Sequence, residues 1–338
     1  MQVVVLSRND PDGVRTESAI LNAAGGFGLH IAQAMVHHLQ VIEVDCSDLN
    51  HLVPTGVLAD VKYAWHCAAE MSYLPKNLAS SFEVNVGNST RLFKLLCAAT
   101  PELRRFYYMS TAFVGGMQGG LVEERLQTRS ELINPYQMTK WGAEQALHLL
   151  HLETEVPLTI FRPSIVIGHR DSGWTTRNGF GFYMFVDALR AFGAAGHDHL
   201  TVDLKANIRP DLISIDQLVE DAVALTLGGE RRDAFEVFHC SGGLGVSSHE
   251  LMVRFAAAAG VRLSFGLPVT SLEQKFGRAI ELNMPFANTE WQFVRNSLDR
   301  VLGHAMPPDV LTRSDFSHMI AWYLEQDLHE VEASAILQ

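Results

Sequence analysis

Tyr136 and Lys140 stand one helical turn apart in Tyr136-Gln137-Met138-Thr139-Lys140, so a helix beginning here carries both side chains on one face. A free phenol titrates at about 10. An ammonium beside it favours the phenolate and brings the phenol toward the pH at which it passes a proton efficiently. The YxxxK spacing alone arises often by chance, but its setting adds weight. Upstream, Arg105 to Met109 reads as a strand that ends in Ser110-Thr111-Ala112-Phe113-Val114-Gly115. A hydroxyl at the C-terminal end of such a strand faces the crevice in which open α/β sheets bind ligands. There Thr111 would hydrogen-bond a carbonyl oxygen or oxyanion beside the phenol. Ser110 and Thr111 read equally well as the cap of a strand-to-loop turn.

Positioning these groups requires a sheet with helical crossovers, and the chain has that pattern. Gln2 to Leu6, Gln40 to Val44, Val61 to His66, Arg105 to Met109, Leu158 to Ile167 and Phe235 to His239 are strand-like apolar runs. Between them, Ser80 to Ala99, Met138 to Leu152 and Ile215 to Leu227 carry apolar residues at three- and four-residue spacing and read as amphipathic helices. The alternation predicts an α/β fold with a doubly wound parallel sheet. Beyond Gly168 the pattern loosens into Gly, Asp and aromatic residues, with a further helix near Phe182 to Phe192. The expected organisation is a core of residues 1–168 plus 204–246 and a smaller cap lobe of 169–203 plus 247–338, the latter binding substrate.

With 338 residues, 47% of them hydrophobic, the chain can bury a large core and fold alone. Its net charge of −12 argues against a nucleic-acid or anionic-membrane surface and leaves small molecules as the expected partners. No apolar run approaches a spanning helix and no cleavable leader is evident, so a cytoplasmic protein is expected. Cys46, Cys67, Cys97 and Cys240 form no CxxC pair and are read as buried thiols. His197 and His199 lie in a Gly/Asp-rich stretch without a third ligand nearby. They are read as an exposed polar turn, and no metal site is expected.

Further motifs fall in a fixed order: His66-Cys67-Ala68-Ala69, then Asn85-Val86-Gly87-Asn88-Ser89-Thr90, the Ser110 segment, YxxxK, and Arg162-Pro163-Ser164-Ile165-Val166-Ile167-Gly168. Together, over residues 1 to 245, these resemble the extended short-chain dehydrogenase/reductases, most closely the thioester-reductase and fatty-acyl reductase branch. The resemblance implies a Rossmann-like core, Tyr136 as acid/base, Lys140 as its electrostatic partner and ribose ligand, and Thr111 as the hydroxyl that orients a carbonyl. Asn85 would support Lys140, while His66, Ala68, Ala69, Arg162 and Ser164 would border NADP(H). Asp216 is similar to a late strand-to-helix turn of the family, although a helix N-cap is its plainer reading. Ser110, Trp174, Phe180 and Tyr183 are candidates for lining an apolar substrate pocket, with lobe core as the plainer reading of the aromatic ones. The substrate implied is a small or acyl-carrier-bound molecule, and the family expectation is a homodimer.

The N-terminus departs from the family, whose members open with a strand and a glycine-rich turn that presents backbone N–H groups to a pyrophosphate. In one register Val3 to Arg8 resembles the family's second strand, with Arg8 at the 2′-phosphate of NADPH, and Val41 to Asp45 its third. The first strand would then be missing, and Gln2 to Leu6 is expected to move into its central slot, placing Asp10, Pro11 and Asp12 where the glycine loop would be. In the other register Ala23 to His30 is a degenerate glycine turn, with Asp45 as the acidic ribose ligand. Three functions follow from these readings. The first is NADPH-dependent reduction of an acyl thioester, aldehyde or ketone. The second is a redox-inactive cyclase, dehydratase or isomerase using Tyr136 for proton transfer, and the third a noncatalytic binding subunit.

Overall fold

The computed structural model describes residues 2–30, 38–44, 53–176, 181–229, 233–305, 311 and 315–325. The chain divides into two compact units: Met1–Gly116, Glu124–Pro163 and Ala224–His239 form the first, and Met117–Glu123, Ser164–Val223 and Cys240–Gln338 the second.

In the first unit, β3 (Tyr63–His66), β4 (Arg105–Met109), β6 (Leu158–Pro163) and β10 (Phe235–Cys240) form a four-stranded sheet in the order β10-β6-β4-β3. The β3–β4 and β4–β6 pairings are parallel. The apolar sequences of β4 and β6 are continuous rather than alternating because both faces are covered, and all but Met109 of these residues are buried. Around them pack Phe93, Leu96 and Leu147 from the helices α3 (Ser89–Ala99) and α4 (Pro135–Thr154). Helix α2 (Leu78–Phe82) leads into α3 through a π-helical segment at Glu83–Asn88, so the helix expected from Ser80 to Ala99 contains an irregular turn around Asn85. Such turns recur at functional sites.

A second pair, β1 (Val3–Ser7) and β2 (Leu39–Glu43), is also parallel, and α1 (Val14–Gly26) follows β1. The expected move of Gln2–Leu6 into the centre of the sheet does not occur: among the described residues β1 pairs with β2 alone, and β3 with β4 alone. Both strands are only half-buried for most of their length, unlike β4 and β6. The degenerate glycine turn is overturned as well. Ala23–Leu29 is the C-terminal end of α1, where Phe27 N bonds Ala23 O, Leu29 N bonds Ala24 O, and Gly28 takes φ 67°. That is a helix exit, for which a left-handed glycine is suited, and among the described residues no helix N-terminus stands there to meet a phosphate.

The run expected as one strand from Leu158 to Ile167 is interrupted at Ser164. Pro163 ends β6, and β7 (Ile165–Ile167) pairs with β9 (Leu212–Ser214) in the second unit. That unit also holds the parallel pairs β5 (Gly120–Val122) with β12 (Trp291–Phe293) and β8 (His199–Val202) with β11 (Arg262–Phe265). His199 therefore lies in a strand, its ring on the Ser264 hydroxyl at 3.0 Å, rather than in the expected polar turn. The unit's core joins α5 (Phe182–Ala194) to α7 (Ser248–Ala258) through Phe182, Leu189, Met252 and Phe255. Helix α6 (Ile215–Leu227) follows β9 directly. Among the described residues no helix is long and apolar enough to cross a membrane.

Candidate active site

Asn134 and Pro135 start α4. The Asn134 side chain accepts from Gln137 N at 2.9 Å, and Pro135 occupies the first turn, where no N–H is needed. The helix thus begins earlier than the expected Met138 and places Tyr136 and Lys140 in its first two turns. Across from it, β4 ends at Met109 and Thr111 opens a short turn at Ala112–Gly115, its hydroxyl accepting from Phe113 N at 3.3 Å.

The Thr111 hydroxyl lies near enough to the Tyr136 phenol to influence its titration. Burial raises the Tyr136 phenol above its usual range; the nearby Tyr73 phenol adds to this, and the Thr111 hydroxyl opposes it. The Tyr73 ring lies 6.2 Å from that of Tyr136 at 29°. Lys140 is buried, donates to Met109 O at 2.7 Å, and lies 4.7 Å from the centre of the Tyr108 ring. Burial lowers its pKa to about 8, against the opposing effects of Cys67 and Glu144. The expected acidification of Tyr136 by Lys140 is not what governs the phenol, because the ammonium is aimed at a carbonyl and a neighbouring ring. Both groups nevertheless border Tyr108, whose phenol is raised by burial first and then by Glu144 and Tyr136.

Behind this front lies an ion pair that sequence reasoning missed. Glu144, fully buried one turn beyond Lys140, accepts from Ser110 Oγ at 2.6 Å and from Arg162 Nε and Nη2 at 2.8 and 2.6 Å. Arg162 Nη1 reaches Arg125 O at 3.0 Å. Ser110 and Arg162 are therefore structural fasteners between β4, α4 and β6 rather than surfaces for a ligand. Asn85 is likewise committed away from Lys140: it accepts from Glu70 N at 2.7 Å and donates to Glu70 O and Thr139 Oγ1, both at 2.8 Å. It clamps the loop that follows β3.

That loop carries Cys67 and Ala68, both exposed, and Ala69, half-buried. His66 precedes them, buried with its Nε2 unpartnered, and burial followed by the Lys140 charge lowers its pKa to about 4. Arg8 is exposed at the end of β1, and its carbonyl accepts from Arg15 Nη2, which also bonds Ser7 Oγ at 2.8 Å. The start of α1 is closed by the protein itself: the buried Asp10 carboxylate accepts from Arg15 N and Thr16 N, each at 3.0 Å, and from the Thr16 hydroxyl.

In the second unit, Ser164 is buried, with its N on Cys240 O at 3.0 Å. Tyr183 belongs to the core, its hydroxyl accepting from Gly168 N at 2.9 Å and its ring 4.4 Å from that of Tyr323. Trp174 is half-buried in the turn after β7, its carbonyl taking the His169 N–H at 2.8 Å. Asp216 is not an N-cap; it lies in the first turn of α6 and accepts from Arg170 N at 2.9 Å. Asp45 and Phe180 lie outside the described residues. Among the described residues no cluster of His, Cys, Asp or Glu is placed to hold a metal ion.

Comparison with known proteins sets this geometry in a family. Over 121 residues the chain is 31% identical to the hybrid PKS-NRPS synthetase ucsA of Acremonium sp, an alignment covering 34% of this chain and 3% of that protein. The chain thus spans a small fraction of its curated relative. Among solved structures, the terminal R domain from the myxalamid PKS-NRPS biosynthetic pathway superposes with TM-score 0.75 at 17% identity, covering 97% of this chain and 85% of the other. UDP-glucuronic acid 4-epimerase from Bacillus cereus, solved with UDP-glucuronic acid and NAD, gives 0.67 at 17% identity over 96% and 91%. DesIV, a dTDP-glucose 4,6-dehydratase from Streptomyces venezuelae, gives 0.62 at 20% over 96% and 88%. These likenesses establish a shared short-chain dehydrogenase/reductase fold. The family model for NAD-binding male sterility proteins matches residues 3–221, and the chain belongs to that family.

Proposed function

We propose that the chain is a carbonyl-directed acid/base enzyme whose reaction is the NADPH-dependent reduction of an acyl thioester, aldehyde or ketone. The observation that carries this reading is the nearness of the Tyr136 and Thr111 hydroxyls at the C-terminal end of a parallel strand, with Lys140 behind them. A carbonyl oxygen placed between the two hydroxyls would receive two hydrogen bonds, strongest as negative charge develops on it. A phenol held neutral by burial is a proton donor at neutral pH, so Tyr136 would deliver the proton to that oxygen. Thr111 would hold the oxygen, and Lys140, charged below about pH 8, would ease loss of the proton from the phenol once a ligand shifts it off the Met109 carbonyl.

The family's dinucleotide fits these residues only in part. The proton-transfer end offers hydroxyls and an ammonium, and Arg8 with Arg15 supplies exposed positive charge at the end of β1. The described residues provide no pyrophosphate cradle: the N–H groups opening α1 are already taken by Asp12 and Asp10, whose carboxylates would repel a phosphate. No step is therefore assigned to the cofactor. The same Asp10 cap favours a second reading, a redox-inactive cyclase, dehydratase or isomerase in which Tyr136 moves a proton without a nicotinamide. Calorimetric titration with NADPH separates the two. Micromolar binding supports the reductase, and absence of heat up to millimolar NADPH supports the second reading.

A further inference from the structure

The loop between β3 and α2 carries a second phenol, Tyr73, to which the proton-transfer reading gives no part. Its ring stacks on that of Tyr136, with centres 6.2 Å apart and planes at 29°, inside the roughly 4.5–7 Å range over which aromatic pairs attract. A loop residue keeps such a pose only if its backbone is held as well, and here both flanks are fixed. Before it, Asn85 Oδ1 accepts from Glu70 N at 2.7 Å and Asn85 Nδ2 donates to Glu70 O at 2.8 Å. After it, Pro75–Asn77 form a single helical turn, and Asn77 Nδ2 donates to Ser72 Oγ at 2.9 Å. Asn85 Nδ2 also donates to Thr139 Oγ1 at 2.8 Å, on the turn of α4 that follows Tyr136. One side chain thus ties the Tyr73 loop to the helix that bears Tyr136, and all of these residues belong to the first unit.

Tyr136 is half-buried. A tyrosine on a helix has more than one staggered χ1 well, so which of them brings the hydroxyl near Thr111 depends on what packs against the ring. Burial pushes the Tyr73 phenol up to about 12, so at neutral pH its ring meets Tyr136 without charge, and its presence adds to the burial that keeps Tyr136 protonated. We propose that Tyr73 is a positioning residue, whose ring, held by the Asn85 clamp, packs on Tyr136 and fixes the direction of its hydroxyl. It acts through Tyr136 rather than on a substrate, and the ring rather than the Tyr73 hydroxyl carries the effect. That the fixed phenol transfers a proton rests on the function proposed above; the hold of one ring on the other rests on the geometry alone.

The test is nitration of the full chain by tetranitromethane at about pH 8, below the titration of a free phenol, followed at the Tyr136 peptide by mass spectrometry. Turnover of octanoyl-N-acetylcysteamine with NADPH is a separate assay. Tyr73→Ala should speed nitration of Tyr136 about tenfold, the factor given by the upper range of an aromatic pair's worth, while circular dichroism shows a folded protein. Tyr73→Phe, which keeps the ring, should restore slow nitration. In turnover, Tyr73→Ala should lower kcat about tenfold with little change in KM, because the ring supports the proton donor and not the binding of substrate. Tyr73→Phe should recover most of that loss. Should the alanine variant unfold, Tyr73→Ser makes the same test. Nitration unchanged in a folded variant without the ring, or as fast in Tyr73→Phe as in Tyr73→Ala, overturns the inference. Absence of wild-type turnover would defeat the reductase reading and leave nitration to decide the inference. Full turnover in a folded variant whose Tyr136 nitrates rapidly would keep the hold of Tyr73 and defeat Tyr136 as the proton donor.

Discussion

Burial opposes charge on Tyr136, Lys140 and His66, and this makes the site's chemistry visible in stability. Lys140 is lowered to about 8 from 10.5, so between these values the unfolded chain holds a proton that the folded chain has released. Stability therefore rises with pH across that window and is diminished below it, by roughly 3 kcal/mol at 1.36 kcal/mol per unit. Lys140→Met should melt higher than the parent at pH 7 and lose the rise between pH 8 and 10.5; a lower melting temperature at pH 7 would show that the ammonium is well compensated. His66 shifts in the same sense, to about 4 from 6.5. Its share of stability is full above pH 6.5 and is lost as pH falls toward 4. His66→Phe should flatten that acid limb in denaturant titrations, and an unchanged limb would place the loss elsewhere. Sequence spacing identified Tyr136, Lys140 and Thr111, which the structure gathers at one strand end. It could not reveal that Lys140 faces a carbonyl, because the direction of a long flexible side chain is set by tertiary neighbours.

At the scale of elements, two devices hold the site. The Asn134 cap fixes where α4 begins, and Asn134→Ala should cost about 1 kcal/mol. The buried Glu144–Arg162 pair ties α4 to β6 and, through Ser110, to β4. Removing one partner strands a charge, so Glu144→Ala should cost roughly 3–5 kcal/mol in chemical unfolding. A loss below 1 kcal/mol would mean that the pair is not closed as described. Continuous apolar runs made β4 legible residue for residue, and the periodicity of Ile215–Leu227 did the same for its helix. Asn134-Pro135 was a start signal that apolar periodicity alone overlooks. Glu144 carried a signal too: a carboxylate one turn past Lys140 on the same helix face belongs in the interior only if a cation such as Arg162 is there to meet it. The glycines near Gly25 were ambiguous because glycine serves helix exits and phosphate turns alike. What precedes it decides, and here that is a helix.

For the whole molecule, the alternation of strands and helices conveyed the α/β class and the parallel sheet. It did not convey that β1 and β2 pair separately from β3, since strand neighbours are fixed by long-range packing rather than local pattern. The account rests on Tyr136 as the group that moves a proton to a substrate oxygen. Its most direct test is the rate of octanoyl-N-acetylcysteamine reduction with NADPH by the wild type and by Tyr136→Phe. The account predicts measurable wild-type turnover and a loss of about 10²- to 10⁴-fold in the variant, with unchanged circular dichroism. Turnover in Tyr136→Phe within a few fold of the wild type would contradict it.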